Sequence, residues 1–314
     1  MDRKKVLGLI LIIVSGACFS VATILARLIN TTTTITPMMV AVTRFLVAAP
    51  LFWLFLPRTP FQVTQKPLRW QFILLGVIFS IANFSANFAL NRISSSIYTV
   101  ILFTNPFFIV LYSLLAKKTI PSLTAVALPL SILGLVLAVY PFKGGLKVDT
   151  LGVLITMINS LALAAYYLYS SRLFSDQPSR MPGSGWIFLG SLFVSLAALP
   201  FSQMQVPADA REWLLLLAYG TFGTILPIIA ANIGINNLGP ARAAMTNVIQ
   251  PILTIILSTI IFSEKLVSFQ YLGAFLVILS VVLIQVHKLK RTTLPPPASE
   301  PPGDQMSQLP VKEN

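Results

Sequence analysis

Ten stretches of about 20 mostly apolar residues, joined by short polar connections, leave few folds open to this chain. They lie near 6–26, 37–56, 70–90, 94–116, 121–140, 150–171, 185–201, 213–234, 240–262 and 267–287. A helix needs roughly 20 apolar residues to cross about 30 Å of hydrocarbon. Lipid offers the backbone no hydrogen bonds, so a helix, which pairs its own peptide groups, is the natural spanning element. The composition agrees: 56% of residues are hydrophobic and 10% charged, where a soluble domain carries about 25% charge. The expected fold is an all-α membrane protein of ten transmembrane helices. The seventh stretch is the weakest, shortened by Gly183, Gly185, Gly190 and Pro200. The composition changes after Arg291, and the Pro-rich segment 292–314 reads as a disordered cytoplasmic tail.

The net charge of +13 comes from 22 Lys and Arg against 9 Asp and Glu, and the basic residues sit almost wholly between the apolar runs. That placement orients spans and speaks against a nucleic-acid partner. With ten spans both termini share a side. The terminus side collects fifteen Lys and Arg, including Arg3, Lys4, Lys5, Lys117, Lys118 and Arg172, against six opposite (Arg27, Arg92, Lys143, Lys147, Arg211 and Lys265). Positive charge stays inside, so both termini are expected in the cytoplasm, with a bacterial inner membrane as the setting. The lone Cys18 lies within an apolar run and excludes an internal disulfide or a cysteine metal cluster. A signal peptide is the rival reading of the first stretch. Its apolar run continues to Ala26, longer than a signal's core of about 7–15 residues, so a retained helix is expected.

Shifting the chain by 145 residues superposes scarce residue types: Arg27 on Arg172, Pro37 on Pro182, Asn87 on Asn232, Asn91 on Asn236 and Pro106 on Pro251. Each half then holds five spans. An odd number makes the second half enter from the opposite side, which gives an inverted repeat, 1–145 followed by 146–291. Inverted halves can exchange conformations and open to each side in turn, as many secondary transporters do, with substrate near the midplane at the repeat interface.

The residues at this point resemble the drug/metabolite transporter superfamily, in particular its EamA-type members. The similar features are Pro37 followed by Arg44-Phe45, Asn87 with Ala89-Leu90, Pro106 and Pro251 inside the fourth and ninth spans, and Ser263-Glu264-Lys265-Leu266 after the ninth. The resemblance covers about residues 6–287. One departure is Ala116-Lys117-Lys118-Thr119, where the family often has a second acidic residue. The resemblance implies a transporter of small organic metabolites, with amino acids among the substrates.

Polar side chains at membrane depth mark cavities or helix contacts. Asn83 and Asn87 share a helix face and form either a hydrogen-bonding wall for substrate or a tie between helices. Arg44, some 12 Å into its span by helical rise, either takes a substrate carboxylate or phosphate or ties to backbone carbonyls. Tyr98 reads mainly as an interfacial belt residue. Tyr166 and Tyr167 either belong to such a belt or contact substrate. Asn232 and Asn247 complete the candidate substrate contacts. Pro106 and Pro251 each delete a backbone hydrogen bond, freeing the carbonyls of Leu102 and Asn247, and are either gating hinges or static bends whose free carbonyls are satisfied by neighbouring Thr104 or Thr246.

None of the nine Asp and Glu falls at mid-membrane depth, which weakens proton or sodium coupling and uptake of organic cations. Neither a phosphate-binding loop nor a zinc-protease helix nor a nucleophile elbow is present, so no enzyme activity and no cofactor are expected. The expected partners are a small-molecule substrate and membrane lipid, the chain acting as a monomer or weak dimer. The competing reading is a non-transporting sensory or lipid-interacting protein on the same bundle.

Overall fold

The computed structural model describes residues 3–56, 66–116, 122–139, 148–175, 177, 179–203 and 206–293. Lys117, Lys118, Thr119, Lys143 and Lys147 lie outside them, as does the tail from residue 294 onward. The described residues form helices throughout. The first half contains α1 (Arg3–Thr32), α2 (Pro37–Phe55), α3 (Lys66–Arg92), α4 (Ser95–Leu102), α5 (Asn105–Leu115) and α6 (Ser122–Val139). The second contains α7 (Thr150–Leu173), α8 (Met181–Ala198), α9 (Ala210–Gly220), α10 (Leu226–Leu238), α11 (Pro240–Thr246), α12 (Ile249–Phe262) and α13 (Ser268–Thr293). A wider π turn, Thr221–Ile225, joins α9 to α10.

Eight of the ten expected stretches are helical segments long and apolar enough to cross a membrane, with α4–α5, α9–α10 and α11–α12 each counting as one. The fifth and tenth coincide with the shorter apolar helices Val126–Val139 and Ser268–Ile284. The breaks have local causes. Pro106 sits in the first turn of α5, where its missing N–H costs nothing, and the chain turns at Phe103–Thr104 just before it. Thr36 and Ser94 cap α2 and α4 by accepting from Met39 N and Ile97 N, and Asp149 caps α7 through Leu151 N. Arg92 donates to Asp149 at 2.9 Å and helps hold its carboxyl below the usual carboxylate range.

The packing is inverted relative to a soluble bundle. On α1 the buried face is mostly small or polar (Gly8, Ser15, Gly16, Ser20, Ala22, Ala26, Asn30), while Leu7, Ile10, Ile13 and Val21 are exposed. Lipid is as apolar as leucine, so helices gain by close approach and hydrogen bonds rather than by hiding large side chains. The closest approaches are at paired glycines. A methyl at Gly76 on α3 would run into the Ile187 carbonyl of α8, and one at Gly190 into the Ile73 carbonyl. Gly134 on α6 and Gly273 on α13 face each other's carbonyls in the same way. Between these outer helices lies α4, all eight of whose residues are buried.

Replacing Gly76 by Ala should push α3 off α8 and destabilise the protein by about 1–3 kcal/mol. Thermal unfolding in detergent would read this as a lowered midpoint. At Gly239 a Cβ would meet nothing within 4 Å, but its φ of +86° and ψ of 152° lie in a region essentially reserved for glycine, so Gly239→Ala should also lower the midpoint, through backbone strain rather than a clash.

Candidate functional site

Arg44 anchors the interior. It is 8% exposed, and all its described hydrogen-bond partners are neutral. Nε donates to Thr224 Oγ1 at 2.8 Å, one terminal nitrogen donates to Asn83 Oδ1 and the Tyr219 hydroxyl at 3.1 Å each, and the other donates to the Gly223 carbonyl at 3.1 Å. The guanidinium carbon also lies 4.7 Å from the centre of the Tyr219 ring, within range of a cation–π attraction. The Gly223 carbonyl is available because Pro227, four residues later, has no N–H to give it. The π turn presents that carbonyl, and Arg44 replaces the lost donor. An Arg at the centre of a span costs about 2.5–3.5 kcal/mol even on lenient scales. Hydrogen bonds to a charged group, at about 1.5–3 kcal/mol each, are of the size needed to offset it.

The network continues through α3 and α1. Asn83 Nδ2 donates to the Ala41 carbonyl at 2.8 Å, and Asn87 Nδ2 reaches the Asn83 carbonyl at 2.9 Å and the Tyr219 hydroxyl at 3.3 Å. Asn30 donates to Ala26 O and, at 3.4 Å, to Asn87 O. Tyr98 accepts from Asn159 Nδ2 at 2.9 Å and shares a buried apolar cluster with Tyr219. The amide oxygens of Asn30, Asn87 and Asn159 are buried with no hydrogen-bond partner.

Of the residues singled out in the sequence, the structure therefore joins Arg44, Asn83 and Asn87, with Tyr98 alongside. Elsewhere, Tyr166 stacks at 5.1 Å on Phe79, and Tyr167 is 45% exposed. Asn232 donates to Ser184 Oγ at 2.8 Å, and Asn247 to Gln250 Oε1 at 3.4 Å. The released Leu102 carbonyl is taken by Asn105 Nδ2 at 2.9 Å and Ser160 Oγ at 3.2 Å rather than by Thr104, which bonds Ile101 O. The Asn247 carbonyl accepts from Gln250 N at 3.0 Å, while Thr246 turns to Arg242 O. Beside the α4–α5 break, Thr104, Phe107, Phe108, Ser131 and Met157 line a cavity of about 70 Å³. Among the described residues no three His, Cys, Asp or Glu are grouped to hold a metal.

Tyr219, Thr224, Gly223, Asn30 and Asn159 were not singled out by sequence. For Gly223 the signal was its spacing to Pro227, which marks a freed carbonyl; the sequence carries none for Tyr219 or Thr224. Tyr219 is the shared acceptor of Arg44 and Asn87, so Tyr219→Phe should cost about 1–3 kcal/mol. The loss should appear as a lower unfolding midpoint in detergent, with far-UV helicity retained below it.

Comparison with known proteins agrees with this architecture. The model of the EamA-like transporter family matches residues 6–140 and 150–286. The uncharacterized transporter YcbK of Bacillus subtilis is 24% identical over 303 residues, covering 92% of this chain and 96% of its own length. An uncharacterized transporter of Synechocystis sp. is 24% identical over 238 residues, 74% of this chain and 71% of its own. The uncharacterized inner membrane transporter YedA of Escherichia coli K12 is 23% identical over 255 residues, 80% of this chain and 82% of its own. A solved crystal structure shares the fold with a TM-score of 0.60 at 14% identity, over 93% of this chain and 99% of that one. An apolar exterior, eight helical segments long and apolar enough to cross a membrane, and a family match across both halves lead to one conclusion: the chain is a multi-pass membrane protein of the EamA-like transporter family.

Proposed function

We propose that the protein is a secondary transporter of small organic metabolites, amino acids among them, working by alternating access as an exporter or exchanger. The observation that carries this reading is the buried polar cluster. It draws Asn30, Arg44, Asn83 and Asn87 from the first half and Tyr219, Gly223 and Thr224 from the second, around one charge with neutral partners. The unpartnered oxygens of Asn30, Asn87 and Asn159 suit the N–H or O–H donors of a small polar ligand. The guanidinium suits a carboxylate.

Alternating access here means two inverted five-helix repeats, 1–145 and 146–291, with α6 and α13 completing ten spans and both termini in the bacterial cytoplasm. Several features support the repeat. The break between α4 and α5 and the break between α11 and α12 fall at nearly equivalent positions under the 145-residue shift. The pairing of α1 with α10 has its counterpart in that of α7 with α3. The tight α3–α8 crossing at Gly76 and Gly190 is echoed where Gly220 meets Val47 of α2. Pro106 and Pro251 then sit at matched breaks as hinges. The unit is a monomer or weak dimer.

In proteoliposomes carrying a panel of amino acids and related metabolites, Asn87→Leu should abolish flux while the protein remains folded in the membrane. Normal flux would remove Asn87 from the substrate path. Collapsing the proton and sodium gradients should leave exchange largely intact, and its complete loss would refute an uncoupled carrier. Changing Pro106 and Pro251 to Ala together should slow turnover more than it weakens binding. Unchanged turnover would end the hinge assignment.

A further inference from the structure

The two halves are tied by different chemistry at the two ends of the bundle: at the terminus side Trp53 Nε1 donates to Gly185 O and Arg172 to the Tyr112 hydroxyl, each at 3.2 Å. At the end away from the start of α1, the loop after α12 sends Glu264 into the first half, where it is 6% exposed. Its two carboxylate oxygens accept from the backbone N–H groups of Ser95 at 3.0 Å and Ser96 at 3.1 Å. Those are first-turn donors of α4 with no partner inside their own helix. A carboxylate there gains from both the free N–H groups and the helix dipole. Ser94 Oγ takes the N–H of Ile97 at 3.3 Å. The first turn of α4 is thus closed by its own cap and by a charge from the other half.

The 145-residue shift asks for a reciprocal contact at the opposite end, and the sequence there lacks both the carboxylate and one of its two donors. Glu264 corresponds to Thr119, which has no carboxylate, and Ser95 corresponds to Pro240, which has no N–H. The Arg44 tie is equally one-sided. Arg44, Asn83, Tyr219 and Thr224 correspond to Leu189, Ile228, Leu74 and Phe79, all apolar. These two polar ties between the halves therefore have no counterpart under the shift and belong to one side of the exchange.

We propose that Glu264 is a clasp that holds the α4 end of the bundle shut in the empty protein, so that the carrier rests facing the side of its termini. This rests on the alternating-access reading above. An inverted repeat with equivalent halves would populate its two end states about equally; charge-assisted bonds present in only one state shift the balance towards it by the free energy of those bonds. The device gives the cycle a starting side: substrate loads from the terminus side, and its binding must supply what opens the clasp.

The test needs no substrate. In the full chain with Cys18→Ser, Thr99→Cys places a thiol on α4 one turn inside the clasp, at a site 1% exposed whose hydroxyl has no partner. A membrane-impermeant maleimide applied to the α4 side of proteoliposomes should label it slowly. Ser95→Pro gives this half the residue that Pro240 already provides in the other. Proline suits the first position of a helix, and Ser94, at φ −64° and ψ 153°, already has the backbone that must precede it. It removes one donor and should raise the labelling rate about tenfold, the shift expected from one charge-assisted hydrogen bond. Glu264→Ala, which leaves α4 untouched, should raise it at least as much. Labelling unchanged in both variants, with unfolding midpoints near the parent's, would overturn the clasp. Normal flux with unshifted labelling rejects the clasp and keeps the transporter. Raised labelling with no flux on any compound keeps the clasp and rejects the transporter.

Discussion

A guanidinium inside a lipid-spanning helix sets the terms for everything around it. Arg44 cannot be left bare in hydrocarbon, and the described chain offers it no carboxylate. Neutral acceptors from three other places in the chain converge instead: the amide of Asn83, the hydroxyls of Thr224 and Tyr219, and the carbonyl of Gly223. Each of those acceptors is positioned by a local irregularity or a close crossing. Pro227 strips the Gly223 carbonyl of its helical donor, the π turn swings it inward, and Gly220 lets α9 approach α2 at Val47. Arg44 thus selects which distortions the neighbouring helices carry.

The remaining interior follows the same economy. Beside clusters of buried aromatic and aliphatic side chains, this interior buries serine, asparagine and glycine at helix contacts, and on α1 it leaves Leu7, Ile10 and Ile13 exposed. Serine hydroxyls reach across to backbone carbonyls of neighbouring helices: Ser15 to Pro227 O at 2.8 Å, Ser20 to Gln250 O at 2.8 Å, and Ser160 to Leu102 O at 3.2 Å, the last a carbonyl that Pro106 has released. Cohesion comes from backbone proximity and short polar bonds, so it is sensitive to a single added methyl at a glycine crossing and indifferent to many changes on the outer faces.

The sequence made the helices legible because lipid imposes a length and a polarity that few other elements satisfy. It exposed Arg44, Asn83 and Asn87 because polar groups are rare at that depth, and Pro106 because a proline inside an apolar run must disturb it. It gave Glu264 no job beyond its resemblance to a family position. Its partners are the backbone N–H groups of Ser95 and Ser96, and no side-chain pattern announces a backbone donor. Tyr219 looked like any aromatic in an apolar run. Its role is set by the angle at which α9 crosses α2 and α3, which no single-chain pattern encodes. Tyr98 read as a belt residue for the same reason: the burial of α4 among helices from both halves is a long-range fact. The partners of the freed carbonyls were misplaced because nearest neighbours in sequence were favoured, whereas Ser160 comes from another helix.

The pairing of α1 with α10 and of α7 with α3 bears on how the chain is made. Helix α1 leaves the ribosome well before α10 and α12, yet the faces that receive Ser15, Gly16 and Ser20 belong to those helices, more than two hundred residues later. During synthesis its polar stripe has to wait in the bilayer or the insertion machinery without its final neighbours. An isolated first half would have nowhere to put those groups, so quality-control proteases would meet it as an unfinished protein. Assembly must therefore be largely post-insertional, with the last helices completing contacts for the first.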